Sequence, residues 1–78
     1  DKIRDAARVV AGEMVGGPVG DDESLIMSGR IDSLSVLKLI GKLENRLNIT
    51  LLTDRLQPDD FETVDVIVET VQRAGVEK

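Results

Sequence analysis

The sequence predicts a small all-α protein, a bundle of three main helices plus a short extra helix, with a long first loop. Three observations support this fold class. Apolar residues recur at intervals of three and four along three separate segments. A glycine or an asparagine follows each of these segments, and a capping residue precedes the second and the third segment. With 78 residues and no cysteine, the chain is expected to form one domain over residues 1–78 with a core of Leu, Ile and Val.

The first helix is predicted over residues 2–15. Apolar side chains at helical spacing form one face of this helix, namely Ile3, Ala6, Ala7, Val10 and Met14. The segment Gly16-Gly17-Pro18 then ends it. Residues 16–31 form a long loop, which is unusual in so small a domain unless the loop is functional or has apolar anchors. The expected anchors are Leu25, Ile26 and Met27.

The second helix, over residues 33–47, has the clearest pattern. A broad apolar stripe runs along it and consists of Leu34, Val36, Leu37, Leu39, Ile40, Leu43 and Leu47. Asp32 can accept hydrogen bonds from the first free amides, and its charge suits the positive end of the helix dipole. Asn48 is the expected stop. Gly41 costs roughly 0.5–1 kcal/mol relative to Ala in mid-helix, which suggests close approach by a neighbouring helix or by a partner.

Two shorter elements complete the predicted fold. Residues 53–56 are predicted to form the short extra helix, and residues 57–60 a turn around Pro58. Residues 64–73 are predicted to form the last helix, with Thr63 as its cap and Gly75 as its stop. The β-branched residues of this segment make a strand conceivable, but a lone strand would have no partner.

The composition excludes several classes of function. There are 15 acidic and 10 basic residues, and the resulting net charge of −5 argues against binding to nucleic acid or to anionic membranes. The same charge favours partners with basic patches. No apolar run exceeds three residues, so no bilayer span is expected. The lack of cysteine and of a signal-peptide pattern fits a cytoplasmic protein.

Catalytic and metal-ligating residues are scarce. The chain has no His and no Cys, so we expect no catalytic residue and no metal site. The acidic cluster of Asp21, Asp22 and Glu23 could attract a cation, but it lacks the ligand spacing of a calcium loop and is interpreted as a solvated loop. Ser33 has no evident base, because the adjacent Asp32 points a different way around the helix. From its position alone, Ser33 is interpreted as a helix-capping or exposed first-turn residue.

A longer pattern around Ser33 supports a different interpretation. The segment Ser28-Gly29-Arg30-Ile31-Asp32-Ser33-Leu34 opens the second helix, and this helix continues with Leu37, Leu39, Ile40, Leu43, Glu44 and Leu47. Downstream lie Ile49, Pro58-Asp59-Asp60-Phe61 and Thr63-Val64-Asp65. In this order and over most of its length, the chain resembles the acyl carrier protein family, which includes peptidyl and aminoacyl carriers.

The resemblance implies a covalent cofactor and a set of partner enzymes. Ser33 is expected to carry 4′-phosphopantetheine, taken from coenzyme A by a separate phosphopantetheinyl transferase, and the chain itself is expected not to be an enzyme. An acyltransferase or adenylating ligase would load the thiol, and polyketide or peptide synthase enzymes would use the thioester. The resemblance also implies a monomer that recognises partners through Asp32, Val36, Leu37, Ile40, Gly41 and Glu44.

Several assignments stay open at this point. Leu34 is expected to face the core rather than a partner. Glu44 is either a solvated charge or the ion-pair partner of an enzyme's arginine. Unlike the dense acidic second helix of the family's fatty-acid members, this helix carries Lys38 and Lys42, which favours a polyketide or hybrid polyketide/peptide pathway. An aminoacyl carrier is the closest alternative, and the competing function is an unmodified helical docking module.

Overall fold

The computed structural model describes residues 1–52, 54 and 56–77. Three helices make up most of it: α1 is Lys2–Val15, α2 is Ser33–Leu47 and α3 is Val64–Ala74. Two short strands, β1 (Ile49–Leu51) and β2 (Gly75–Glu77), and a 3₁₀ helix (Pro58–Phe61) complete the described elements. The predicted helical character is therefore confirmed.

The helix ends follow the predicted chemistry. Asp32 caps α2 by accepting a hydrogen bond from the Ser35 amide at 2.8 Å, and Thr63 caps α3 by accepting one from Val66 at 3.1 Å. Asn48 ends α2 in the left-handed conformation, with φ 55° and ψ 50°. These caps fix where α2 and α3 begin, and so they fix which side chains turn toward the core.

The small sheet was not predicted. β1 and β2 pair antiparallel, with Ile49 opposite Glu77, Thr50 opposite Val76 and Leu51 opposite Gly75. Pattern analysis missed this pair because three-residue strands show no usable alternation and because their partners lie far apart in sequence. A Cβ at Gly75 would lie 2.5 Å from the Val71 carbonyl oxygen, so glycine is needed where α3 passes directly into β2.

The two short segments predicted between α2 and α3 have different outcomes. The predicted helix over 53–56 includes residues 53 and 55, which lie outside the described part of the chain. The segment Pro58–Phe61, predicted as a turn, forms a 3₁₀ helix instead. Proline at the start supplies a helical φ without losing a needed donor, and the buried Phe61 side chain holds the end of this helix against the core.

The core forms where the three helices meet, because each contributes an apolar face. Its members from α2 are Val36, Leu39, Ile40 and Leu43, and those from α3 are Val64, Ile67, Val68 and Val71. Leu25 and Ile31 anchor the long loop in this core, and the Ile31 amide donates to the Leu25 carbonyl at 2.9 Å. Met27, also expected as an anchor, is instead 87% exposed.

The start of the long loop is held by ion pairs. Asp21 Oδ2 lies 2.8 Å from Arg4 Nη1, and Asp21 Oδ1 lies 2.6 Å from Arg8 Nε. Arg4 also pairs with Asp65 on α3. The interpretation of this acidic cluster as a solvated loop is therefore wrong for Asp21, which links the loop to α1 and, through Arg4, to α3.

We expect the Asp21→Asn variant to be less stable than the wild type at neutral pH. Hydrogen bonds from Arg8 and Arg4 lower the pKa of Asp21 from 3.8 to about 2. A lowered folded-state pKa means that the stabilisation is complete above pH 3.8 and is lost as the pH falls toward 2. Thermal unfolding across pH should therefore show a gap between the two proteins that closes in this acidic range. Asp22→Asn, which removes the same charge from the neighbouring exposed residue, is the control and should show a smaller gap.

Candidate functional site

Ser33 lies on a fixed and accessible part of the surface. It is the first residue of α2 and is solvent-exposed. Ile31, two residues before it, and Val36, three residues after it, are both buried in the core. Because both flanks are anchored, the chain holds the Ser33 hydroxyl at the helix end with its surroundings open to a second molecule.

The carboxylate of Asp32, next to Ser33, already accepts a hydrogen bond within the protein. Asp32 Oδ1 accepts the Ser35 amide hydrogen at 2.8 Å, and this bond to the backbone holds the pKa of Asp32 below its usual value. The carboxylate of Asp32 therefore stays ionised and stabilises the start of α2, rather than abstracting a proton from Ser33. The positive end of the α2 dipole favours an anion near the first residue of the helix, which suits a phosphodiester on Ser33.

The described residues offer no catalytic constellation around Ser33. The full sequence has no His and no Cys. In the part of the chain that the structure describes, no group of three or more acidic side chains could hold a metal ion. Among the described residues, the geometry therefore presents an exposed hydroxyl with no histidine or cysteine near it to act as a base.

Glu62 organises the loop that leads to Ser33, and sequence reasoning missed it. Its side-chain Oε1 accepts hydrogen bonds from the Ser24 hydroxyl and, at 3.2 Å, from the Met27 amide. Its backbone carbonyl accepts one from the Leu25 amide at 2.7 Å. A single acidic residue between the 3₁₀ helix and α3 carries no signal in the sequence, because its partners lie 35 or more residues away.

The side chains of α2 divide into a core face and an outer face. Val36 and Ile40, both assigned to partner recognition, are only 4% and 7% exposed and pack in the core. Leu34, expected in the core, is 75% exposed, and Leu37 is 65% exposed. The expectation for Leu34 was wrong because the apolar stripe of α2 is wider than the surface that α1 and α3 can cover.

The structure decides between the two roles considered for Gly41, close packing against a helix or against a partner, and between those considered for Glu44. A Cβ at Gly41 would meet no atom within 4 Å, so no neighbouring helix requires a glycine there. Glu44 Oε2 accepts the Leu51 amide hydrogen at 2.8 Å, which ties α2 to β1. Glu44 is therefore an internal anchor rather than a fully solvated charge, and Asp32, Leu37 and Gly41 are the assigned recognition residues that stand exposed.

Comparison with known proteins adds two findings. The family model for the phosphopantetheine attachment site matches residues 1–72. The chain is 40% identical over 50 residues to the D-alanyl carrier protein of Streptococcus sanguinis (strain SK36), covering 64% of this chain and 63% of that protein. It is 39% identical over 51 residues to that of Streptococcus pyogenes serotype M1, covering 65% of each. These matches span less than two thirds of the relatives' length.

No helix in the described part of the chain is both long and apolar enough to cross a membrane. The longest of the helices, α2, has 15 residues and alternates its apolar positions with charged ones.

Proposed function

The chain belongs to the family of phosphopantetheine-dependent carrier proteins, and on that basis we propose that the Ser33 hydroxyl is the attachment point of the cofactor. Members of this family hold 4′-phosphopantetheine covalently and do not catalyse the reactions of their cargo. The observation that carries the proposal is the exposed hydroxyl at the first residue of α2, with Asp32 turned into the helix cap.

Attachment transfers one group from coenzyme A. The Ser33 oxygen forms a bond to the phosphorus that bears pantetheine, and the bond from this phosphorus to the 3′,5′-ADP part of coenzyme A breaks. The hydroxyl proton passes to a base on the transferase, since the carboxylate of Asp32 is held in the helix cap and the chain has no His or Cys. The dipole of α2 then stabilises the new phosphodiester charge. What the chain contributes is presentation of the hydroxyl and recognition of the transferase.

For the cargo, we propose an aminoacyl group, held on the phosphopantetheine thiol as a thioester and loaded by an adenylating ligase. The support is the similarity to D-alanyl carrier proteins, which makes D-alanine the first amino acid to test. The expected polyketide or hybrid polyketide/peptide pathway has no support from these relatives and rests on the mixed charge of α2 alone.

The loading experiment separates these two cargo classes. Holo protein is incubated with ATP, D-alanine and a D-alanine-activating ligase, or with malonyl coenzyme A and an acyltransferase. We expect a mass increase of one alanyl group that is removed by hydroxylamine, because thioesters react with it. A malonyl thioester in place of the alanyl one would overturn the aminoacyl proposal and leave the carrier function intact.

The location, oligomeric state and extent of the protein are part of the same proposal. Coenzyme A and ATP are supplied in the cytoplasm, so a carrier charged in this way works there. A monomer leaves α2 open to each enzyme in turn. Residues 1–72, which match the family model, include α1, α2, most of α3 and Ser33, so we propose that residues 1–78 act as one carrier domain.

The Gly41→Ala variant tests whether a partner passes close to α2. Because the added Cβ meets nothing within 4 Å, the variant should be more stable by about 0.5–1 kcal/mol. If a partner's surface lies against Gly41, the same methyl group should raise the KM of the holo protein in the loading reaction. Asn45→Ala, one turn further from Ser33 on the exposed face, is the control. An unchanged KM for Gly41→Ala would leave Gly41 without a role in docking.

A further inference from the structure

Basic residues form a row along the exposed side of α2. Lys38, Lys42 and Arg46 are spaced by four residues and are all exposed, so they follow one another on neighbouring turns. We refer to these three residues as the basic row. Beside them on the same helix lie the exposed Leu34 and Leu37 and the bare backbone of Gly41. The outer face of α2 thus carries an apolar edge near Ser33 and a cationic edge next to it.

The charges of the basic row are poorly compensated within the protein. Glu44 is the sole acidic residue of α2, and its carboxylate is bound to the Leu51 amide. Lys42 Nζ lies 3.6 Å from Glu13 Oε2, with both side chains about half exposed, which makes a weak pair. Across the described residues, the ion pairs of the protein include neither Lys38 nor Arg46.

Several acidic residues, by contrast, form ion pairs with basic residues outside α2. Asp21 and Asp65 bind Arg4, Glu23 binds Arg30, and Asp60 binds Arg73. None of these groups lies on α2. The net charge of −5 is therefore unevenly distributed, and the helix that begins at Ser33 is locally cationic in an acidic protein.

We propose that the basic row binds an acidic surface on the enzyme that loads the phosphopantetheine thiol. The inference rests on the proposed function, since an arm attached to Ser33 obliges its enzyme to lie over the start of α2. Along the helix axis, Lys38 is about 7 Å and Arg46 about 20 Å from Ser33. A standard interface covers about 800 Å² of each partner, which is wide enough to include all three basic residues.

The uneven charge also sets the orientation of the complex. An acidic enzyme surface is repelled by the carboxylate-rich parts of the chain and attracted to the basic row on α2. Opposite charges at long range accelerate encounter and suppress wrong orientations, while the apolar edge at Leu34 and Leu37 supplies short-range contact. The expectation from net charge, a partner with basic patches, thus does not apply to the face that presents Ser33.

The double variant Lys38→Glu/Arg46→Glu tests the proposal while it keeps both Lys42 and Glu13 in place. The probe is the D-alanine-activating ligase with the holo protein, and the readout is the KM and kcat of thioester formation at low and at high salt. We expect the KM to rise about tenfold at low salt with kcat unchanged, because reversing two exposed charges weakens docking but not chemistry. The difference should shrink at high salt.

The control is Lys2→Glu/Arg73→Glu, which makes the same change in net charge at exposed residues of α1 and α3. Its KM should stay close to that of the wild type. If the KM rises equally in both double variants, only the net charge matters and the proposal is overturned. If the KM of Lys38→Glu/Arg46→Glu is unchanged, the basic row does not bind the enzyme, and this result also overturns the proposal. So would a salt-sensitive dimer of the wild type seen by light scattering that the α2 variant abolishes.

Two further measurements keep these results unambiguous. Far-UV circular dichroism identifies a variant that fails to fold, and the milder Lys38→Gln/Arg46→Gln variant then replaces it, with an expected rise in KM of about threefold. Failure of the proposed function is seen separately and earlier, as absence of phosphopantetheine or of the thioester on the wild-type protein.

Discussion

Replacing Ser33 by Ala is expected to abolish attachment of phosphopantetheine, and with it all loading of cargo. The hydroxyl oxygen of Ser33 is the atom that forms the new bond, and alanine has no atom that could replace it. The fold should survive, because Ser33 is exposed at the end of α2 and the capping bond is made by Asp32 rather than by Ser33. The measurement is the intact mass of each protein after incubation with coenzyme A and a broad-specificity transferase.

Ser35→Ala is the matched control for this experiment. Ser35 lies two residues further along the same helix turn and differs from Ser33 in being half-buried. It should be modified at Ser33 to the same extent as the wild type, since its backbone amide still donates to Asp32. A Ser33→Ala protein that still gains the cofactor, or a Ser35→Ala protein that loses it, would place the attachment elsewhere on the loop or helix.

Replacing Phe61 by Ala is expected to have the largest effect on folding. Phe61 is the single aromatic residue of the chain, and its side chain is completely buried where the 3₁₀ helix meets the core. Truncating a buried phenylalanine costs about 3–5 kcal/mol, which is a large part of the roughly 5–15 kcal/mol by which native domains are stable. Urea unfolding followed by far-UV circular dichroism measures the change, since the chain has no Trp or Tyr to report by fluorescence.

Two other substitutions define what the Phe61 result means. Phe61→Leu keeps most of the apolar volume and should cost less than about 1.5 kcal/mol. Leu37→Ala removes a side chain that is largely exposed and should change the free energy of unfolding by only about 0.5 kcal/mol. If Phe61→Ala unfolds no more easily than Leu37→Ala, the core does not depend on Phe61 in the way described above.

The sequence was sufficient to predict the features that local chemistry determines. The caps Asp32 and Thr63 and the stop at Asn48 set the limits of α2 and of α3 within a residue of those observed. The position of Ser33 at the start of α2 follows from the same local signals. These features depend on residues within one helix turn of each other, which a sequence pattern can reveal.

Features that depend on distant contacts were missed or misjudged. The β1–β2 pair, the bond from Glu44 to Leu51 and the link from Asp21 to α1 each join parts of the chain that no periodicity relates. Leu34 was misjudged because the number of apolar residues on a helix does not say how much of its surface the other helices can cover. The outer face of α2 became apparent only once the neighbouring helices were in place.

The central claim is that Ser33 is a cofactor attachment site, and mass spectrometry of the wild-type protein tests it most directly. After incubation with coenzyme A and a phosphopantetheinyl transferase, the intact mass should increase by one phosphopantetheine, and fragmentation should place the group on Ser33 within residues 31–37. A folded protein that stays unmodified would identify the chain as a docking module with a carrier's fold. A group found on Ser28 or Ser35 would contradict the assignment of Ser33.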